Sequence, residues 1–575
     1  MTLFTLFVLG AACSGEGDPE SSSGDAPGDD AGVTSDMGAG LDAGPDAGID
    51  AGPRGDAGTG ADPFVSDCAE STSTIPGLVT TSVGDIQGIE DGDGAWQFLG
   101  IPFAEAPVGD LRWRAPVKPG CLEEQPFVAD AFGPACPQLG EDGVVGDEDC
   151  LQLNIWTPAD YTAEAKLPVL FFIHGGANIL GSASQGFGPG RPAYTGRFLA
   201  ETEDVVVVTV QYRLGPLGFL ALPELSSESE NDASGHYAPL DHIAALEWVR
   251  DNVSRFGGDP ERVLLFGQSA GAINVCTLVA SPLARNLFSS ALMQSGLCTG
   301  EPLAEAEEGF GASVDVFEEC RDATDRLACL RALPAERIVA AIPGTIEELA
   351  YGPVVDGYVL PDSPLALIAR GEHNDVPFVL GSTADEMASE TIFSLEVETA
   401  AEYEALIAAE FGAFGEDTVA TILELYPVED YATPQEALIQ VYTDRAFTRG
   451  TRTLARAASG ASSSPVYRYL FSKTTQSVMG TIPARHGIDL LYVFDVLGTI
   501  PVFPTTPADQ RVADAMVASW SALARSGDPN ASALGARWEA YDAARDDFVD
   551  FGATVSAGEG IRREKCDFWD SLTAR

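Results

Sequence analysis

Ser269 stands in Gly267-Gln268-Ser269-Ala270-Gly271, a G-x-S-x-G pattern. A serine hydroxyl becomes a nucleophile at neutral pH only when a base removes its proton. The chain offers five histidines for that work. His486, in "TIPARHGIDLLYVF", sits late in the chain in a polar turn before an apolar segment, the position expected of a base that follows its serine in chain order. His174 ends a strand in "IHGGAN", where the glycines point to the backbone amides as the working groups. His236 and His242 fall at a helix start in "SGHYAPLDH", and His373 in the charged loop "RGEHND". An acid to orient the base is expected between serine and histidine, and "VPFVLGSTADEMAS" supplies Asp385 and Glu386 side by side at a strand end. "IHGGAN" matches an HGGG-type loop with alanine in third place; with the amide of Ala270 it offers N–H donors to an oxyanion. Together these residues spell acyl transfer through a serine.

Such residues act together only if strands deliver them to one place. "LPVLFFIHGG", "DVVVVTVQYR", "RVLLFG", "SSALMQSG" and "VPFVLGS" are apolar without alternation, the pattern of strands buried on both faces of a mostly parallel sheet. Between them "PLDHIAALEWVRDNVSRFGG" places Ile243, Leu246, Val249 and Val253 on one helical stripe and stops at paired glycines. "RVLLFG" runs into Ser269 and "AGAINVCTLVA" runs out, the strand-turn-helix setting of a nucleophile elbow. In an open α/β sheet, ligands bind at the carboxyl ends of the strands. "DGDG" at Asp91 predicts a hairpin turn between "SVGDIQGI" and "AWQFLGI".

"EDCLQLNIW", "FFIHGGA", "FGGDPERVLLFGQSAGA", "GSTADE" and "RHGIDLLYVF", in this order, resemble the type-B carboxylesterase and cholinesterase family of α/β-hydrolases from about Phe98 onward. The resemblance implies an α/β-hydrolase fold with a large, mostly parallel central sheet flanked by helices and preceded by an N-terminal β-hairpin. It implies Ser269 as nucleophile, His486 as base, Glu386 rather than Asp385 as acid, and Gly176, Ala177 and Ala270 as oxyanion donors. It also implies an Arg112–Glu148 ion pair and supports disulfides Cys136–Cys150 and Cys320–Cys329, each flanking a short loop. Neither cofactor nor metal is called for, and the substrate is a small ester. The alternatives within this fold are a lipase for long acyl chains and a non-enzymatic adhesion protein.

Three departures bear on specificity. The family most often has glutamate where Gln268 stands, and the Cys136 to Cys150 loop is short and lacks tryptophan. Both changes remove attraction for a cation and point to neutral short- to medium-chain esters. His236 and Ala238 replace the usual asparagine and glycine before the helix.

The remaining composition speaks to environment. A net charge of −55 excludes nucleic acid as partner, because phosphate binding needs a basic footprint. Residues 1–13, "MTLFTLFVLGAAC", read as an export signal whose Cys13 resembles the acylated cysteine of bacterial lipoproteins, so the chain is expected to be exported, either secreted or lipid-anchored. Residues 14–63, rich in Asp, Ala, Gly, Pro and Ser, cannot bury enough surface to order themselves and read as an acidic tether. Residues 64–575 read as one domain. Ten cysteines fit an oxidising compartment; the pairing of Cys68, Cys121, Cys276, Cys298 and Cys566 stays open at this level. "NVS" at Asn252 and "NAS" at Asn530 match glycosylation sequons.

Overall fold

The structure, a computed structural model, describes residues 68, 75–92, 94–186, 192–344, 351–388 and 395–573. The expected export segment with Cys13 and the expected tether 14–63 lie outside these residues. Eleven strands make one sheet among the described residues. They are β1 (Ile89–Asp91), β2 (Ala95–Pro102), β3 (Gln152–Pro158), β4 (Leu167–Ile173), β5 (Val206–Val210), β6 (Gly258–Gln268), β7 (Ser290–Gln294), β8 (Phe378–Thr383), β9 (Val466–Phe471), β10 (Asp547–Phe551) and β11 (Val555–Glu559). Their order across the sheet is β1-β2-β3-β5-β4-β6-β7-β8-β9-β10-β11. Every neighbour from β5 to β10 is parallel. The outer pairs β1–β2, β2–β3, β3–β5 and β10–β11 are antiparallel. A further antiparallel hairpin, Leu78–Thr81 with Gly84–Gln87, precedes the sheet.

The apolar runs are explained by burial on both faces. Along β4, Val169, Phe171 and Ile173 enter one core while Leu170 and Phe172 enter the other. The first core is closed by α1 (Tyr237–Asn252) and α2 (Ala270–Ala280) through residues such as Leu246, Val249, Val275 and Leu278. The second is closed by a helix over Pro507–Ser526, which contributes Val512, Met516, Trp520 and Leu523. Alternating side chains on a strand face opposite ways, so both halves of each period had to be apolar.

The expected stripe of Ile243, Leu246, Val249 and Val253 is buried, and burial extends beyond it: eleven of the sixteen residues of α1 are buried, and the buried Asp241 is accommodated by a bidentate pair with Arg213 at 2.6 Å and 2.9 Å. The sequons are structural: buried Asn252 accepts the Ser82 N–H through Oδ1 at 2.7 Å and donates to Trp248 O, and Asn530 donates to Trp538 O. Strand β9 was not anticipated, because Arg468 interrupts "VYRYLF". Its guanidinium is fully buried and paired with Asp546 at 2.7 Å, which makes a charge compatible with a core strand.

Four disulfides are present among the described residues: Cys68–Cys121, Cys136–Cys150, Cys276–Cys298 and Cys320–Cys329. Cys566 is buried and forms no disulfide among the described residues. Arg112 and Glu148 form the implied pair, Nε to Oε1 at 2.7 Å and Nη2 to Oε2 at 2.5 Å. Four cross-links fit an exported protein. No helix among the described residues is long and apolar enough to cross a membrane.

Candidate active site

Strand β6 ends at Gln268 and α2 begins at Ala270, leaving Ser269 alone in the turn with φ 59° and ψ −125°. A non-glycine residue persists in such a conformation only when its surroundings force it. The flanking glycines allow that packing: a Cβ on Gly271 would lie 2.1 Å from Ile173 O, and one on Gly267 would lie 2.6 Å from the Gly271 carbonyl. The Ser269 N–H is held by Gln294 O at 2.9 Å, on the neighbouring strand. Its Oγ has no hydrogen-bond partner among the described residues.

Beside it, the loop after β4 turns through Gly176 (φ 114°), Ala177 (φ 55°) and Asn178 (φ 60°). The N–H groups of Gly176 and Ala177 find no acceptor among the described residues, and Ala270 opens α2, where backbone N–H groups are free by construction. Three donors are thus available around the serine.

Glu386 follows β8 and is fully buried. Its Oε1 accepts the Thr383 N–H at 2.7 Å, and its Oε2 lies 2.6 Å from His486 Nδ1. Asp385 points elsewhere, accepting from Gln440 Nε2 at 2.7 Å and the Ala484 N–H at 3.2 Å. The two adjacent acids are therefore separated by what they touch. The ring of His486 packs on Phe447, centroids 5.4 Å apart. Its Nε2 lies 3.0 Å from Gln268 Nε2. With the Nδ1 proton directed to Glu386, Nε2 keeps its lone pair and accepts from the Gln268 amide. Contacts between nucleophile and base commonly tighten only with substrate in place.

The other four histidines are occupied differently. Burial pushes His174 down to about 4 and His242 down to about 3; both rings pack on Tyr212 behind the glycine loop. His236 accepts the Val354 N–H through Nε2 at 2.9 Å and has Nδ1 3.0 Å from Asp356. This ties the start of α1 to the 354–360 segment. His373 contacts Ser462 Oγ at 2.9 Å.

The residue reading missed Asp489, three positions after His486. It is fully buried and accepts from Gln294 Nε2 at 2.8 Å and the Tyr469 hydroxyl at 3.2 Å, while its Oδ1 has no partner among the described residues. It thereby joins the turn of His486 to the strand that holds the Ser269 N–H. Burial pushes this carboxyl up to about 6, against the lowering effect of the Gln294 amide. An acid whose folded pKa exceeds its unfolded value favours the fold below the unfolded value and loses that contribution as pH rises through the folded one. Asp489→Asn removes this group. Its melting temperature relative to the unmodified protein is expected to rise from pH 4 to pH 6 and level off above; parallel curves for the two proteins across that range would contradict the assignment.

No group of three or more metal-ligating side chains occurs among the described residues. Against known proteins, residues 76–569 match the Carboxylesterase family. The chain belongs to the carboxylesterase family. It is 36% identical over 499 residues to the fumonisin B1 esterase of Sphingopyxis macrogoltabida, covering 84% of this chain and 87% of that protein. It is 32% identical over 479 residues to the para-nitrobenzyl esterase of Bacillus subtilis, covering 81% and 92%. Among solved structures it resembles the carboxylesterase Est55 of Geobacillus stearothermophilus at 31% identity with a TM-score of 0.73, covering 86% of this chain and 100% of that one. This carboxylesterase-family chain is a carboxylic-ester hydrolase with the α/β-hydrolase fold.

Proposed function

We propose that this carboxylesterase works through an acyl-enzyme on Ser269 and prefers neutral esters of short to medium acyl chains. The Glu386–His486 contact of 2.6 Å beside a strained serine carries the reading. His486 Nε2 exchanges the Gln268 amide for the Ser269 hydroxyl and takes its proton as Oγ attacks the ester carbonyl. The oxyanion is received by the N–H groups of Gly176, Ala177 and Ala270. His486 then gives the proton to the departing alcohol, and water repeats the sequence on the acyl-enzyme.

Preference for neutral esters is supported by what surrounds the site. Gln268 places a neutral amide, not a carboxylate, against the base. A cavity of about 360 Å³ lies between Leu180–Gly181 and the Cys136–Cys150 loop; among the described residues its lining contains neither a charged nor an aromatic side chain, so it offers no cation–π platform among them. The same reading takes the protein to be exported, its domain following a signal at 1–13 and an acidic tether at 14–63, either secreted or anchored through Cys13.

The test is turnover of p-nitrophenyl esters of increasing acyl length beside an ester carrying a quaternary ammonium, for the unmodified enzyme and Gln268→Glu. The unmodified enzyme is expected to peak at short to medium chains, and Gln268→Glu to raise the ratio of cationic to neutral turnover by about tenfold, the factor that corresponds to ~1.4 kcal/mol. A long-chain optimum or an unchanged ratio would each overturn the corresponding half of the proposal.

A further inference from the structure

Oxyanion donors act only when their spacing is held to a fraction of an ångström. The donors here come from two separate pieces: Gly176 and Ala177 on the loop after β4, and Ala270 on α2. The neighbouring strands β4 and β6, paired at Ile173 and Gly267, bring the two pieces side by side; beyond the strand ends the donor positions depend on the course of the loop after β4. The loop itself runs through three consecutive positive φ values, 114°, 55° and 60°, two of them on residues with a Cβ. Such a run relaxes unless contacts outside it hold it in place.

Asn178 supplies those contacts. It is 1% exposed and engages three elements at once. Its Nδ2 donates to Tyr351 O at 3.1 Å, its Oδ1 accepts from Asn274 Nδ2 at 2.9 Å, and its own carbonyl accepts the Gly215 N–H at 2.6 Å. Asn274 lies on α2, fully buried, little more than a turn beyond Ser269. The Tyr351 carbonyl can only accept, so it fixes which way the Asn178 amide faces; Asn274 must then offer its NH₂. The consequence is an Asn274 Oδ1 that is buried with no partner among the described residues, while its NH₂ is committed to Asn178.

We propose that the Asn178–Asn274 amide pair clamps the glycine loop onto the nucleophile helix and sets the spacing between the two halves of the oxyanion hole. Both are positioning residues: neither touches the reacting atoms. The inference rests on the acyl-transfer reading of Ser269, and it adds to that reading the side chains on which its electrostatic part depends.

The test uses Asn178→Gly, Asn274→Ala and the double variant in the full chain. Glycine at 178 tolerates the positive φ while removing both side-chain bonds; alanine at 274 suits the helix and deletes the unpaired oxygen. Readouts are kcat and KM on a p-nitrophenyl butyrate substrate, the inhibition constant of a trifluoromethyl ketone that forms an oxyanion on the serine, and the melting temperature. Each single variant is expected to lower kcat about tenfold or more with KM within about twofold, because the lost interaction is felt in the transition state. Ketone affinity should weaken in proportion, and the double variant should be no worse than Asn178→Gly. If Asn178→Gly does not fold, Asn274→Ala carries the test. Asn274→Ala with kcat and ketone affinity within twofold of the unmodified enzyme overturns the clamp. So does a loss in both variants that tracks melting temperature with ketone affinity unchanged. Turnover retained by Ser269→Ala would instead overturn the acyl-transfer reading, a distinguishable failure.

Discussion

Ser269→Ala is expected to abolish labelling by a fluorophosphonate probe and to cut ester turnover by about 10⁴-fold or more, leaving only what the oxyanion donors and binding supply. The melting temperature should barely move. The Ser269 Oγ makes no hydrogen bond among the described residues, so its removal orphans no partner, and alanine meets the same strain at φ 59° that serine already bears. Mass spectrometry of the protein mixed with a slowly deacylated ester provides the check: the unmodified chain should gain the acyl mass and the variant should not. Acylation persisting in the variant would move the nucleophile elsewhere.

Glu386→Gln should be almost as damaging, for a reason read from two distances. Glu386 Oε1 accepts the Thr383 N–H at 2.7 Å and Oε2 receives His486 Nδ1 at 2.6 Å. A glutamine has one acceptor oxygen. If that oxygen keeps Thr383, its NH₂ faces Nδ1 and forces the imidazole to carry its proton on Nε2, the tautomer that cannot take a proton from serine. The loss expected from a wrong tautomer is about 10⁴-fold in kcat. Asp385→Asn is the control. Its carboxylate serves Gln440 and the Ala484 N–H, so that variant should shift stability more than kcat. Equal losses in kcat for the two variants would contradict the division of roles between the adjacent acids.

Much of this arrangement was legible in the chain because the signals were local. "RVLLFG" against "AGAINVCTLVA" marks a strand running into a helix through one residue, and the elbow at Ser269 is where the structure puts it. The unbroken apolar runs of β4 to β8 reflect burial on both faces, a property each strand carries by itself. The hairpin at Asp91 follows from its turn residues, with Asp91 paired to Ala95. Strand β9 and the two strands after it escaped notice for an equally local reason. Arg468 breaks the run in β9, β10 alternates buried with half-buried residues, and the edge strand β11 is largely exposed.

What the residues by themselves determined is which groups are chemically able to act: a serine on a turn, a late histidine, two adjacent acids at a strand end, a glycine pair beside a strand. What only the tertiary structure decided is which of them face one another. Asp385 and Glu386 are equivalent in composition and one residue apart, and the direction of a side chain depends on partners, here Gln440 and His486, that lie 55 and 100 positions away. The same holds for Asp489 beneath the site and for the amides of Asn178 and Asn274. Each is an ordinary polar residue in the sequence, and each gains its meaning from burial and from one distant acceptor or donor, because hydrogen bonds are set by distance and direction in space and not by separation along the chain.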